Sequence, residues 1–237
     1  MTSDSDPLEA LAEEGETALE DGEYEIALET FDELLKQDPE HWGARLRRAE
    51  CLHLLWRSAE ALQVSRALMP PAGEEDDPDR VELEGMILEV LGRFDEADRC
   101  FAEAHRLDPE DFPLPVRLTP DDFKTLLDKV LASLPHVIRE AVLEVPVLAE
   151  PKPTREMAEH APAINPEVLG LFVGTSVGDK LAGGSGYGDV VLLFQKNLER
   201  AGRSRQEVSK EMKVTLLHEY GHYLGFDEEE LEHLGLG

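Results

Sequence analysis

The sequence has few cysteines, few basic residues and no long apolar run. Only two of its 237 residues are cysteine, Cys51 and Cys100, and they lie far apart and outside any CxxC pattern. This spacing favours two reduced thiols in the core over a disulfide framework or a cysteine metal site. No apolar run approaches the length of a membrane span, and the first residues lack the basic and apolar regions of a signal peptide. The expected compartment is therefore the cytoplasm.

Basic residues are strongly outnumbered by acidic ones. Lysine and arginine number 23, aspartate and glutamate 52, and the formal net charge is -29. Binding of nucleic acids depends largely on neutralising phosphates with lysine and arginine, so we expect no nucleic-acid partner and no anionic membrane surface as a partner. With 41% hydrophobic residues, the chain still has enough apolar side chains to fold into one large domain or two modest ones.

A repeat of about 34 residues occupies the first half of the chain. Residues 8–41 and 78–111 carry similar residues at the same internal positions. The matching pairs are Gly15 and Gly85, Gly22 and Gly92, Tyr24 and Phe94, Ala27 and Ala97, Phe31 and Phe101, and Pro39 and Pro109. Residues 42–75 fit the same frame poorly, because Ser58 replaces the aromatic residue and the closing Asp-Pro is missing. We interpret them as a degenerate middle repeat.

These motifs resemble the tetratricopeptide repeat family. The resemblance implies an all-α domain over residues 8–111, built from three antiparallel helix pairs, and we expect residues 1–7 before it to be disordered. Arrays of this family usually bind peptides or partner proteins in a concave groove, so the resemblance implies a protein or peptide partner. The alternative is that three repeats, about the smallest array that buries a continuous core, only brace the domain behind them.

The composition changes after the repeats, and we place a second domain over residues 112–237. Thr119 and Pro120 are typical of a helix start, and this helix should end near Pro135. Short β-rich runs at residues 144–148, 169–173 and 190–194 then predict a small sheet. A longer helix should run from Ser204 or Arg205 to Leu224, where Gly225 stops it. The sequence therefore predicts a small α+β domain after the repeats.

The long helix carries the sharpest motif of the chain, His218-Glu219-Tyr220-Gly221-His222, which has the form HExxH. Residues four apart on a helix share a face, so both imidazoles can reach one Zn²⁺ ion at about 2.0–2.1 Å. The intervening glutamate is turned away by about 100° and lies close to the metal without ligating it. The motif therefore predicts zinc ligands at His218 and His222, and a base at Glu219 that acts on a zinc-bound water.

Two apolar stripes follow the same helix. Core spacing along the first predicts a buried side and a close neighbour at Gly221, and the second is apolar except for Glu219. The first consists of Val214, Leu217, Gly221 and Leu224, and the second of Met212, Leu216, Glu219 and Tyr223. A carboxylate on an apolar stripe is costly unless a metal or water accounts for it, so Glu219 should be functional.

A catalytic zinc site usually has three protein ligands and one open position. The extended pattern is HExxHxxGxxE, and Gly225 can turn the chain back toward the metal. Glu228 stands where related patterns place their third ligand, and we expect it to be that ligand. Asp227 and His233 are the alternatives.

The second half resembles the bacterial zincin-like metallopeptidase family. The resemblance is carried by the HExxHxxGxxE block and, before it, by the runs Leu169–Gly174 and Asp189–Phe194 in the expected order. It implies a compact α+β zincin in which His218 and His222 bind zinc and Glu219 is the base. It also implies an acidic third ligand, usually aspartate in the family, at the position of Glu228.

The leading hypothesis is a cytosolic zinc peptidase whose repeats recruit or orient a protein substrate. Glu219 would take a proton from water and return it to the leaving amine. An extended substrate could pair with the sheet edge at residues 171–173 or 191–194. Tyr187, on a glycine-rich loop, and Tyr223 are candidates for assisting the oxyanion, and we assign neither.

Two alternatives stay open. The first is a non-catalytic adaptor with a vestigial or structural zinc site, and Glu219 distinguishes it because such a site gains nothing from that carboxylate. The second is a bacterial zinc endoribonuclease, which the ending Leu224-Gly225-Phe226-Asp227 resembles. Glu219 and Glu228 depart from the endoribonuclease pattern, and the net charge opposes an RNA substrate.

Overall fold

A computed structural model of the protein describes residues 7–70, 74–160, 164–175 and 188–233, without the side chains of His160, Glu228 and Glu232. Residues 1–6 and Tyr187 lie outside the described residues. The chain forms two compact units. We call Met1–Pro113 with Thr154–Pro166 the repeat unit, and Leu114–Pro153 with Glu167–Gly237 the second unit.

The repeat unit contains three helix pairs, as the sequence pattern predicts. Their bounds are α1 (Pro7–Glu20) with α2 (Tyr24–Gln37), α3 (Trp42–Leu54) with α4 (Ser58–Ala67), and α5 (Pro78–Val90) with α6 (Phe94–Leu107). A further short helix, α9 (Arg155–His160), comes from the later part of the chain and also belongs to this unit. The sequence-based division places residues 154–166 in the second domain, and the structure groups them with the repeats instead.

Small residues let the helices of a pair approach closely. A Cβ atom on Gly15 would lie 2.7 Å from the ring of Phe31, and one on Gly85 would lie 2.7 Å from the ring of Phe101. Both phenylalanines are buried, so each glycine provides the surface on which the aromatic ring of the partner helix packs. The repeated glycine and phenylalanine positions are therefore one packing contact, made once in each of these two pairs.

Both cysteines lie in the repeat unit and are free thiols, as predicted. Cys51 is buried and Cys100 is half-buried. Burial raises the pKa of the Cys51 thiol to about 12 and that of Cys100 to about 11. Both thiols are therefore protonated and weakly nucleophilic at neutral pH.

The second unit contains five described helices and a sheet of three described strands. The bounds are α7 (Pro120–Ser133), α8 (His136–Glu144), β1 (Val147–Glu150), β2 (Gly170–Val173), β3 (Val190–Phe194), α10 (Gln195–Ala201), α11 (Arg205–Leu224) and α12 (Glu228–His233). The strand order is β1-β3-β2, with β1 parallel and β2 antiparallel to the central β3. An all-α repeat domain followed by a small α+β domain is thus the observed fold class.

The first strand begins later than the sequence predicts. Glu144 ends α8, and the amide of Val145 still donates to the carbonyl of Ala141 in that helix. Strand β1 therefore starts at Val147. Among the described residues, no helix has the length and hydropathy that crossing a bilayer would require.

Helix α11 is the central helix of the second unit. Its buried side includes Met212, Leu216 and Tyr220, which pack into a core that also contains Val191 and Leu193 of β3. The predicted burial of Val214 is wrong, because this side chain is 39% exposed and lines a surface cleft. The core side is therefore the stripe that carries the glutamate.

Candidate metal centre

The helix that carries the HExxH motif is capped at both ends. The Ser204 hydroxyl accepts from the amide of Glu207 at the start of α11, as in an N-cap. Gly225 adopts a left-handed conformation, with φ of 98°, at the end. The amides of Gly225 and Phe226 both donate to the carbonyl of Gly221. These contacts fix the last turns of the helix, where the motif lies.

His218 and His222 converge on one point beside the helix. Their Nε2 atoms are 2.9 Å apart, and their ring planes are nearly perpendicular, at 86°. Two nitrogen ligands of a tetrahedral zinc ion lie about 3.3 Å apart, given metal distances of about 2.0–2.1 Å. Only a small separation of the imidazoles is needed, so the pair fits a metal ion bound through both Nε2 atoms.

The other nitrogen of His222 contacts the turn that follows the helix. Its Nδ1 atom lies 3.3 Å from the carbonyl oxygen of Phe226. A carbonyl oxygen only accepts hydrogen bonds, so this contact favours a proton on Nδ1 and leaves the lone pair on Nε2. The left-handed Gly225 directs the Phe226 carbonyl to this place. The turn thus favours the tautomer that a metal needs.

Glu219 is buried beside the histidines, with 7% of its surface exposed. Its Oε2 atom accepts a hydrogen bond of 2.6 Å from the amide of Phe172 on β2. A cleft of about 320 Å³ opens over this region, and its lining includes Gly170, Glu211, His218 and Glu219. The structure therefore places one imidazole and the carboxylate of the motif in a single cleft.

Gly170 allows β2 to approach α11. A Cβ atom at this position would lie 2.5 Å from Cγ2 of Thr215 and 3.2 Å from Cγ of Glu219. Neither Gly170 nor the amide of Phe172 was predicted from the sequence to be part of the site. The detectable signal was a glycine inside an apolar strand pattern, which often marks a close backbone approach.

The last helix folds back against the motif. A side chain at Gly221 would collide with Leu231 of α12, so the predicted close neighbour of this glycine is Leu231. Glu228 is the first residue of α12, and its side chain lies outside the described part of the structure. Among the described residues, no group of three potential ligands surrounds a metal position.

The two alternatives for the third ligand are both engaged elsewhere. Asp227 Oδ1 accepts from the amide of Glu230, and Glu230 Oε2 accepts from the amide of Asp227, so the two residues cap α12. His233 Nδ1 contacts the carbonyl of Glu229 at 2.6 Å. These contacts hold the Asp227 carboxylate and the His233 ring to their own helix.

Tyr223 is unsuited to assist an oxyanion. It is buried, its hydroxyl donates to a carboxylate oxygen of Glu144 at 2.9 Å, and its ring packs edge-on against Phe172. The other candidate, Tyr187, lies outside the described residues. The neighbouring Tyr220, whose hydroxyl donates to the carbonyl of Val145, has a pKa raised by burial. Tyr220 and Tyr223 therefore both anchor the helix.

The strand order shows which of the two predicted runs, residues 171–173 or 191–194, lies at an edge of the sheet. β3 is paired on both sides, with β1 and with β2, so residues 191–194 have no open edge. β2 pairs with β3 on one side only among the described strands, and its other side faces α11 through the contact between Phe172 and Glu219. The edge next to the cleft is therefore β2.

Comparison with protein families finds one match in each half of the chain. Residues 142–237 match a family model described as zincin-like metallopeptidase, and residues 13–76 match one described as tetratricopeptide repeat. A comparison with curated proteins found no match. The fusion of tetratricopeptide repeats with a zincin-like metallopeptidase domain, indicated by the sequence motifs, is confirmed.

Proposed function

We propose that this zincin-like metallopeptidase domain, preceded by tetratricopeptide repeats, is a zinc-dependent peptidase that hydrolyses peptide bonds in a protein or peptide recruited by the repeats. The observation that carries the proposal is the convergence of two imidazole Nε2 atoms, 2.9 Å apart, in the turn that also buries Glu219. The cytoplasmic location expected from the sequence stays a prediction.

The metal would be held by His218, His222 and, as third ligand, Glu228. Position supports Glu228, because it begins the helix that packs back onto Gly221, while Asp227 and His233 are engaged in contacts within α12. When bound, Zn²⁺ supplies a Lewis acid that polarises a carbonyl and makes a water molecule acidic near pH 7.

The carboxylate of Glu219 carries the proton in this proposal. It takes a proton from water as the oxygen attacks the scissile carbonyl carbon, and it gives that proton to the amine that leaves. The Phe172 amide orients the carboxylate through its hydrogen bond to Oε2. Burial of Glu219 in the cleft wall excludes bulk water from one side of this transfer.

Strand β2 would guide the substrate. An extended peptide beside β2 would lie along the wall of the cleft that contains Gly170, Glu219 and His218. Peptide recognition along a strand edge gives affinity from main-chain hydrogen bonds, and side-chain pockets add specificity. The amide of Phe172 already donates to Glu219, so only the other main-chain groups of β2 would pair with the peptide. The repeats would bind the protein partner, because tetratricopeptide arrays generally mediate protein-protein interaction.

The test compares wild type with Glu219→Gln, using zinc content and the cleavage of a proteome-derived peptide library. We expect one zinc ion per chain in both proteins, and a fall in cleavage rate of about 10²- to 10⁴-fold in the variant, because it lacks the proton acceptor. Glu211→Gln is the matched control, since Glu211 lines the same cleft two turns earlier and its loss removes the same charge. It should cleave at nearly the wild-type rate.

The adaptor alternative gives the opposite result. The hydrogen bond between Glu219 and Phe172 would suit a structural role for the carboxylate, in which case Glu219→Gln lowers stability and nothing else. If zinc-loaded wild type cleaves no peptide or folded protein offered to it, or if the variant cleaves as fast as wild type, the peptidase proposal is wrong.

A further inference from the structure

The turn of the second repeat contains a tryptophan in a conformation that favours glycine. The equivalent residues of the first and third repeats are Gly22, with φ of 76°, and Gly92, with φ of 72°. Trp56 occupies this position with φ of 61°, and it is the only non-glycine residue with a positive φ among the described residues. A bulky residue is strained there, and such strain persists where the surrounding structure or a function requires it.

The indole of Trp56 binds a distant segment of the chain. Its Nε1 donates to the carbonyl of Ile164 at 3.0 Å. One residue further along, the side-chain Nδ2 of Asn165 donates to the hydroxyl of Tyr24 at 2.9 Å. Tyr24 and Trp56 line a cleft of about 340 Å³. Its lining also includes Gly22, Leu54 at the end of α3, and Ala158 of α9. All of these residues belong to the repeat unit.

We call residues 154–160 and 164–166, which include the contacting Ile164 and Asn165, the docked segment. In the sequence they lie between β1 and β2, although the structure groups them with the repeats. The residues that flank the segment are joined in the second unit, where Lys152 forms a 3.0 Å ion pair with Glu167. Glu167 also pairs with Arg200, and Lys152 donates to the side-chain oxygen of Asn197.

This buried network joins the two ends of the loop that contains the docked segment. Lys152 is 6% exposed, so the pair is protected from solvent and its loss would leave a buried charge. A loop with its ends already joined loses less conformational entropy on docking than an open chain. The segment is therefore presented to Tyr24 and Trp56 in the manner of a tethered ligand.

We propose that Tyr24 and Trp56 form a peptide-binding site on the first two repeats, and that its ligand is the docked segment of the same chain. The second repeat then departs from the glycine turn because the indole is needed for binding. A competing protein would need the same chemistry: a backbone carbonyl for the indole and, at the next residue, an amide side chain for the phenol. This inference is independent of the zinc site.

The test is hydrogen exchange of the α9 amides in the full chain, compared between wild type and Trp56→Gly. The variant removes the indole and restores the residue that suits the turn, so α3 and α4 should keep their protection. We expect the α9 amides to exchange at least about tenfold faster, because an undocked six-residue helix is unstable on its own.

Two further variants separate binding from folding. Trp56→Phe keeps an aromatic ring but lacks the donor, and it should also raise α9 exchange. Trp42→Phe changes the other tryptophan of the chain, which begins α3 and is outside the cleft, and it should leave α9 unchanged. If Trp56→Gly leaves α9 exchange unchanged, or if α3 and α4 lose protection equally, Trp56 is a structural residue and the proposal is wrong.

Discussion

At the scale of single residues, the site depends on positions that lack a side chain. Gly170 brings the backbone of β2 against α11, and Gly221 makes room for Leu231 of α12. Gly225 takes the left-handed turn that places the Phe226 carbonyl at His222. The closeness of His218, Glu219 and His222 was predictable from the HExxH spacing. The contacts of Gly170 were not, because they depend on a strand that lies 45 residues earlier in the sequence than Thr215.

Replacing Gly170 by alanine tests this close approach. The new Cβ would lie 2.5 Å from Cγ2 of Thr215, so the strand must shift away from the helix. We expect a loss of about 1–3 kcal/mol in the free energy of unfolding, measured by urea denaturation. The shift should also lengthen the contact between Phe172 and Glu219 and reduce peptide cleavage.

A second substitution tests whether Cγ2 of Thr215 is the atom that the new Cβ at residue 170 meets. Thr215→Ser removes Cγ2 but keeps the hydroxyl, which donates to the carbonyl of Glu211. The double variant Gly170→Ala/Thr215→Ser should be more stable than the sum of the two single changes predicts. Strict additivity, or a single Gly170→Ala variant as stable as wild type, would contradict the proposed packing.

At the scale of elements, helix α11 is held by contacts at both ends and along one side. The sequence predicted its limits well, because the serine cap, the apolar stripes and the terminal glycine are local signals. The three strand runs were also local, and all three form strands. The strand order and the choice of β2 as the edge beside the cleft could not be predicted, since they depend on pairing between distant residues.

Tyr220 makes one of the long-range contacts that fix α11. It is fully buried, and its hydroxyl donates to the carbonyl of Val145 at 2.7 Å. Tyr220→Phe leaves that carbonyl without this donor, which should lower the free energy of unfolding by about 1–3 kcal/mol at pH 8. Zinc content should stay at the wild-type level, because the hydroxyl bonds to the end of α8 rather than to the motif.

The same residue gives the stability a pH dependence. Burial raises the pKa of Tyr220, so the folded state holds the phenol proton more tightly than the unfolded state. The resulting contribution to the free energy of unfolding is fully present below about pH 10, the pKa of the phenol in the unfolded chain. It is lost as the pH rises above that value. Urea denaturation between pH 8 and pH 11 should therefore show a smaller decline for Tyr220→Phe than for wild type. An equal decline in both proteins would contradict this assignment.

At the scale of the whole molecule, the chain combines tetratricopeptide repeats with a zincin-like metallopeptidase domain. The repeats and the zincin-like domain were both evident from the sequence, because each is defined by a spacing: 34 residues in one case and four in the other. The role of the segment between β1 and β2 was not evident. Its partners, Tyr24 and Trp56, are more than 100 residues away, and no local pattern links them.

The proposed peptidase activity requires that His218 and His222 hold one zinc ion with Glu219 beside it. The most direct measurement is a zinc-edge anomalous difference map from crystals of the full chain grown with zinc. We expect a single strong peak within about 2.0–2.1 Å of both Nε2 atoms, with the carboxylate of Glu228 as a third ligand. No peak between the two imidazoles, or rings that point away from each other, would contradict it.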